Sequence, residues 1–188
     1  MAGKVERGGV RALVDEYLDL RKEKLPDLTT KASEENPLRN RYKDVPCWDH
    51  CRVKLSGGPV DYIHGNWVDG LWKQRQFIAT QGPLGAGVPG KVESTTAEFW
   101  RMVWEHKVTV IVMLCQTEEQ GKAKCSQYWP LKAGERDQFG PVVVETKEVG
   151  TKKVKDHVVT VSTLELLKDG FTNTRQVVHF LHQNWPDR

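Results

Sequence analysis

Apolar residues recur along this chain with two different periods, and the changes between them outline the elements. Leu13, Tyr17 and Leu20 fall at i, i+4 and i+7, with Val14 and Leu18 beside them. That spacing predicts a helix over residues 11–25, ended by Pro26. Residues 1–10 are basic and Gly-containing and read as a disordered tail. Residues 27–36 are polar and without period, as expected of a surface connection. Arg52 to Leu55, Tyr62 to Val68 and Phe77 to Thr80 are short β-rich runs separated by turn residues. Residues 84–94 are rich in glycine, contain Pro89 and predict a loop. Thr95 or Thr96 then caps a helix with Phe99 and Val103 on one face. Val108 to Leu114 is apolar on both faces and predicts a central strand covered from both sides. Three alternating runs follow, Val142 to Thr146, His157 to Ser162 and Arg175 to Leu181, which predict an antiparallel meander with a turn at residues 168–170. Together they describe an α/β (α+β) domain built on a twisted mixed sheet flanked by helices.

Composition narrows the class. The chain has 188 residues, enough for one domain with a sizeable core. Its charge of +3, from 28 basic and 25 acidic residues, is too evenly mixed to point to nucleic acid. Seven tryptophans and a 38% hydrophobic content exclude a disordered chain. No run approaches the ~20 apolar residues of a membrane span, and the charged N-terminus lacks a signal-peptide apolar segment. A cytoplasmic location is expected. Cys47, Cys51, Cys115 and Cys125 match no common zinc spacing and read as free thiols packed as small hydrophobes. The tryptophans read as packing residues: Trp100, Trp104 and Trp129 in the core, Trp67 and Trp72 near a sheet edge.

Six blocks occur in a fixed order: residues 36–46 (NPLRNRYKDVP), 61–67 (DYIHGNW), 77–83 (FIATQGP), 99–104 (FWRMVW), 125–130 (CSQYWP) and 185–187 (WPD). This series resembles the cysteine-dependent, phosphotyrosine-specific protein tyrosine phosphatase domain, from about Arg11 to the last residue. The resemblance implies that family's fold, a signalling role, a phosphotyrosine-bearing protein or peptide as partner, and dephosphorylation through a cysteinyl-phosphate without metal or other cofactor. It assigns Asp187, in the Trp-Pro-Asp loop, as the general acid that protonates the leaving tyrosine oxygen. Tyr42 would stack on the phosphotyrosine ring, and Asp44 would accept hydrogen bonds from the peptide backbone. Arg41 and Lys43 flank them and either draw an anionic ligand or form a solvated basic patch. Glu119 and Lys124 would support the phosphate-binding loop and the general acid; without a partner arginine, Glu119 reads as a relic.

The same resemblance calls for a His-Cys pair followed, after five residues, by Arg. The residues six positions after the four cysteines are Val53, Gly57, Gly121 and Leu131, so these 188 residues hold no Cys-x5-Arg. His50-Cys51-Arg52 only mimics the start of the motif. The expectation is therefore an incomplete domain over residues 11–188: the N-terminal part, ending at the Trp-Pro-Asp loop and inactive alone. Two readings remain open, a fragment of a phosphatase and a non-catalytic phosphotyrosine-binding or interaction module, a pseudophosphatase. An uncovered sheet that favours self-association is a further expectation.

Overall fold

In the computed structural model, which describes residues 2–22, 28–85, 94–155, 157–168, 172–183 and 185, the chain opens with helix α1 (Ala2–Lys22). It starts earlier than the periodicity predicts, so the expected tail is helical from Ala2. The helix breaks at Gly9 (φ 59°, ψ −159°), a backbone conformation that essentially needs a residue without Cβ. Its predicted end at residue 25 lies outside the described residues, and its apolar stripe, including Leu13, Val14 and Tyr17, is exposed.

A short helix, α2 (Lys31–Glu35), appears in the stretch read as a plain connection. Its cap comes from far along the chain: the Asp49 carboxylate accepts hydrogen bonds from Lys31 N (2.7 Å), Ala32 N (3.1 Å) and the Thr29 hydroxyl (2.6 Å). The Thr29 hydroxyl is the main reason that the Asp49 carboxyl titrates below its ordinary value. Local periodicity carries no trace of a cap supplied in this way.

Strands β1 (Arg52–Lys54), β2 (Tyr62–Val68) and β3 (Phe77–Thr80) form an antiparallel sheet in that order, at the places the alternation predicts. Helix α3 (Thr96–Glu105) follows. Thr95 sits at its N-cap without a side-chain bond to the helix. Its hydroxyl instead accepts the Leu84 N–H (2.9 Å), while Thr95 N donates to the Leu84 carbonyl (2.9 Å). The two ends of the Gly-rich segment are thereby joined. Residues 86–93 lie outside the described residues.

Beyond α3 come β4 (Val110–Met113), the hairpin β5 (Glu118–Glu119) and β6 (Lys122–Ala123), then β7 (Arg136–Phe139), β8 (Val142–Val154), β9 (His157–Lys168) and β10 (Asn173–His182). The strands of the expected meander are there, with β7 added, in a sheet ordered β4-β10-β9-β8-β7, while residues 169–170 of its predicted turn lie outside the described residues; among the described strands of this sheet only the β4–β10 pairing is parallel. Strand β4 corrects the sequence reading. It lies at the sheet edge, with Ile111 and Met113 turned to the core and Val110 (50% exposed) and Val112 (61%) turned outward. An apolar run shows that both faces suit burial, but it does not say what covers them.

Helix α3 supplies the centre of the core, because Phe99, Trp100, Met102 and Val103 lie on its inner side. They pack with Val53, Ile63, Tyr128, Trp129, Val144 and Leu164. Trp100 is fully buried, and its indole N–H donates to the Tyr128 carbonyl (2.7 Å). Trp129 is buried, and Trp67 and Trp104 are partly so, packed against the core. Trp72 departs from expectation: at 89% exposed it packs on no sheet edge. It lies between β2 and β3, where neither strand's alternation reaches.

Candidate functional site

One cleft of about 780 Å³ gathers residues from four of the six sequence blocks. It lies among the loop at residues 40–46, β2 and β3, the end of β4, and the β5–β6 hairpin. Strand alternation places its back wall. His64 and Asn66, two apart on β2, point the same way, toward residues 45–48. His64 Nε2 donates to the Val45 carbonyl (3.0 Å). Asn66 donates to the Trp48 carbonyl (2.9 Å) and accepts from Trp48 N (3.3 Å). The Tyr62 hydroxyl donates to Asn40 (2.5 Å), whose amide donates to the Ser33 carbonyl (2.8 Å). A rigid strand thus positions a loop that has little regular structure of its own.

Arg41 makes the tightest connection. Its guanidinium donates to the carbonyls of Gly82 (3.1 Å), Pro83 (2.8 Å) and Ala123 (3.1 Å). The Gln81 amide completes the clasp, accepting from Arg41 N (2.7 Å) and donating to the Arg39 carbonyl (2.8 Å). Arg41 is therefore committed to three backbone oxygens and tied to two segments, residues 81–83 and Ala123. The sequence motif marked the place, but charge alone gave no reason to assign a bracing role. Gln81→Ala removes one acceptor and one donor from partly buried backbone groups. A stability loss of about 1–3 kcal/mol is expected. Urea unfolding of the two proteins checks it, and unchanged midpoints would show that water replaces both bonds.

Among the residues singled out from sequence, Tyr42 lines the cleft and is 47% exposed. Glu119 and Lys124 also line it, with Lys124 Nζ 3.9 Å from Glu119 Oε2 and the Gln116 N–H donating to Glu119 Oε1 (2.9 Å). Neither is solvated surface, since about four-fifths of each side chain is covered (18% and 22% exposed). Asp44 and Lys43 are exposed and do not line the cleft. Asp187 lies outside the described residues, whereas Trp185, two positions before it, lines the cleft and makes an edge contact with His182 (5.7 Å). The sequence reading missed His64, Asn66 and Arg41 as braces and Cys115 as a lining residue. Polar residues two apart in a strand were the available signal for the first two.

Chemically, Val45, Pro46, Ala79 and Leu114 give the cleft apolar surface, Tyr42 and Trp185 give it aromatic surface, and Lys124 brings a cation. Such a lining suits a planar ring that carries a charged group. Behind it, on β10, His179 is 1% exposed, hydrogen-bonded to the Tyr128 hydroxyl (2.7 Å) and stacked on Trp129 (4.4 Å between ring centres). Burial pushes its pKa down to about 4, so at neutral pH it is an uncharged part of the core.

The sequence matches the family model for the protein-tyrosine phosphatase domain over residues 36–188. It is 41% identical over 182 residues to mouse tyrosine-protein phosphatase non-receptor type 9, a match covering 94% of this chain and 29% of that protein. Human non-receptor type 12 is 35% identical over 171 residues (89% and 20%), and rat receptor-type tyrosine-protein phosphatase F is 39% identical over 162 (82% and 8%). Among solved structures, the catalytic domain of human protein tyrosine phosphatase non-receptor type 18 superposes with a TM-score of 0.76 at 32% identity. That match covers 95% of this chain and 63% of that one. Another structure, concerned with the PTPN18 fingerprint on distinct HER2 tyrosine phosphorylation sites, gives 0.72 at 32% identity, with 100% and 61% covered. The chain thus spans less than a third of these curated relatives and under two thirds of the solved chains. Among the described residues, no helix is long and apolar enough to cross a membrane.

Proposed function

The chain belongs to the protein-tyrosine phosphatase family, and from that premise we propose that its cleft receives the ring of a phosphotyrosine side chain presented by a protein or peptide. The observation that carries this reading is the half-exposed Tyr42 ring on a cleft whose other walls are braced by Arg41 and Gln81. A braced wall keeps the ring site open without a ligand to order it, which lowers the cost of binding. Asp44, exposed beside it, is suited to meet the peptide backbone. In the reaction, Asp187 delivers the proton to the departing tyrosine oxygen. The attacking cysteine and the arginine that holds the phosphoryl group come from a Cys-x5-Arg segment, which these 188 residues do not contain. These residues therefore act in recognition and proton delivery, and taken alone they bind without hydrolysing.

Titration with a phosphotyrosine peptide tests this. Without the phosphate-binding loop, a dissociation constant near the millimolar range, about −4 kcal/mol, is expected. Tyr42→Ala should weaken it roughly 2–10-fold, the equivalent of losing one aromatic stacking contact. Equal binding of phosphoserine and phosphotyrosine peptides, unaffected by Tyr42→Ala, would refute the ring site. Micromolar affinity lost on Tyr42→Ala would instead favour the second reading, a phosphotyrosine-binding module that needs no catalytic segment.

A further inference from the structure

Two of the four cysteines meet in the cleft wall. Cys115 follows the end of β4 and lines the cleft, whereas Cys125 follows β6 and is buried. The backbone brings their segments together: the Thr117 carbonyl, two residues after Cys115, accepts hydrogen bonds from both Lys124 N (2.9 Å) and Cys125 N (3.2 Å), closing the neck of the β5–β6 hairpin. Gly82 presses on the buried member, since a Cβ there would lie 3.0 Å from the Cys125 Cβ and 3.1 Å from its sulfur. Cys125 therefore has little freedom to turn away: its thiol donates to the Ser126 carbonyl (3.3 Å) and lies beside the Cys115 thiol, near enough for each to influence the other's proton.

The charges around the pair are uneven. Arg41 and Lys124 favour a thiolate at Cys115 and Glu119 opposes it, while the neighbouring Cys125 thiol is the largest influence. The result is a Cys115 thiol lowered to about 7, and a Cys125 thiol raised by its neighbour and by burial. Cys115 is the member that loses its proton first, and it is the one that faces the cleft. Accessibility and thiolate character thus coincide on one residue, with a second thiol in contact behind it.

We propose that Cys115 and Cys125 form a peroxide-oxidised dithiol, a modification site built into the wall of the cleft. The Cys115 thiolate attacks one oxygen of hydrogen peroxide. The O–O bond breaks, hydroxide leaves and takes up a proton as water, and Cys115 becomes a sulfenic acid. Cys125 then attacks the Cys115 sulfur. The S–S bond forms, the S–O bond breaks, and the departing hydroxide takes the Cys125 proton to give a second water. Two thiols are oxidised and one peroxide is reduced, so no other reactant is required. The intact wall with its two free thiols is the reduced state.

Peptide mapping without reduction tests this on the unmodified chain. After exposure to hydrogen peroxide near pH 7, trypsin should release peptide 108–122 joined to peptide 125–132, two hydrogens lighter than the sum of the pair. Cys115 should be the first thiol consumed, because it faces the cleft and titrates near 7. In Cys125→Ser the reaction should stop at a Cys115 sulfenic acid that dimedone traps, and in Cys115→Ser neither product should form. Oxidation of Cys51 or Cys47 at the same rate, or a link from Cys115 to any other cysteine, would overturn the proposal. Because the first measurement uses no variant, it holds even if a substitution prevents folding.

Discussion

Asp187→Ala is expected to lower kcat by roughly 10²–10⁴-fold, with KM little changed, when a family segment bearing Cys-x5-Arg is fused after Arg188. A tyrosine phenolate is a poor leaving group at neutral pH, and a carboxylic acid that protonates it acts only as the bond breaks. The loss should therefore fall on the chemical step rather than on binding. It should shrink for an aryl phosphate whose phenol is more acidic, because that leaving group needs less help. The limb of the pH–rate profile that reports deprotonation of the acid should also disappear. Equal losses for the two substrates would mean that Asp187 is not the proton donor. The unfused chain supplies the baseline. With no Cys-x5-Arg segment in its 188 residues, hydrolysis above buffer is not expected, since proton donation cannot replace stabilisation of the transferring phosphoryl group.

Acidification should destabilise the fold through one histidine. His179 titrates near 4 in the folded chain, because burial against Tyr128 and Trp129 disfavours its charged form, whereas an unfolded histidine titrates near 6.5. Above pH 6.5 both states are neutral, and His179 makes no difference. Between 6.5 and 4 the unfolded chain takes up a proton that the folded chain refuses, so stability falls with pH. The loss is about 2 kcal/mol at pH 5 and about 3 kcal/mol by pH 4, where it levels off. Urea unfolding at pH 7 and pH 5 should show the drop, and His179→Gln should flatten it while costing stability at pH 7. Asp49 and Glu145 also titrate below their ordinary values and add to acid sensitivity in the same direction, so the comparison between the variants isolates the histidine. An unflattened slope in His179→Gln would show that the imidazole charges inside the fold.

Much of this architecture was legible because its signals are local. The strands at Tyr62–Val68 and Phe77–Thr80, helix α3 and the meander all carry their own period, and the structure has them where the period puts them. What escaped is what depends on distant partners. Helix α2 is capped by Asp49, 18 positions from Lys31, and β4 looks central because hydrophobicity records suitability for burial rather than cover. At the candidate site, the motifs located Tyr42, Glu119 and Lys124, all of which line one cleft. They could not show that Arg41 is committed to three carbonyls, since its partners lie at Gly82, Pro83 and Ala123. Nor could spacing show that Cys115 and Cys125 meet, because their contact is made by a hairpin whose strands are only two residues long.

The parallel pairing of β4 with β10 sets a timetable for synthesis. Val110 pairs with Val178, 68 positions later, and β10 must also enter between β4 and β9. At about 5–20 residues per second, a ribosome takes roughly 3–14 s to supply the partner strand. Throughout that interval the run from Val108 to Leu114 has been made but has nothing to pair with. It is β-branched, nearly uncharged and free of proline, the composition that most readily joins a neighbouring chain. Helix α3, complete before β4 emerges, has a ready apolar side on which Ile111 and Met113 can settle. In the finished fold Met113 shares one apolar cluster with Phe99, Trp100, Met102 and Val103 of that helix, so the inward side of β4 is the one that earlier-made residues are expected to cover first.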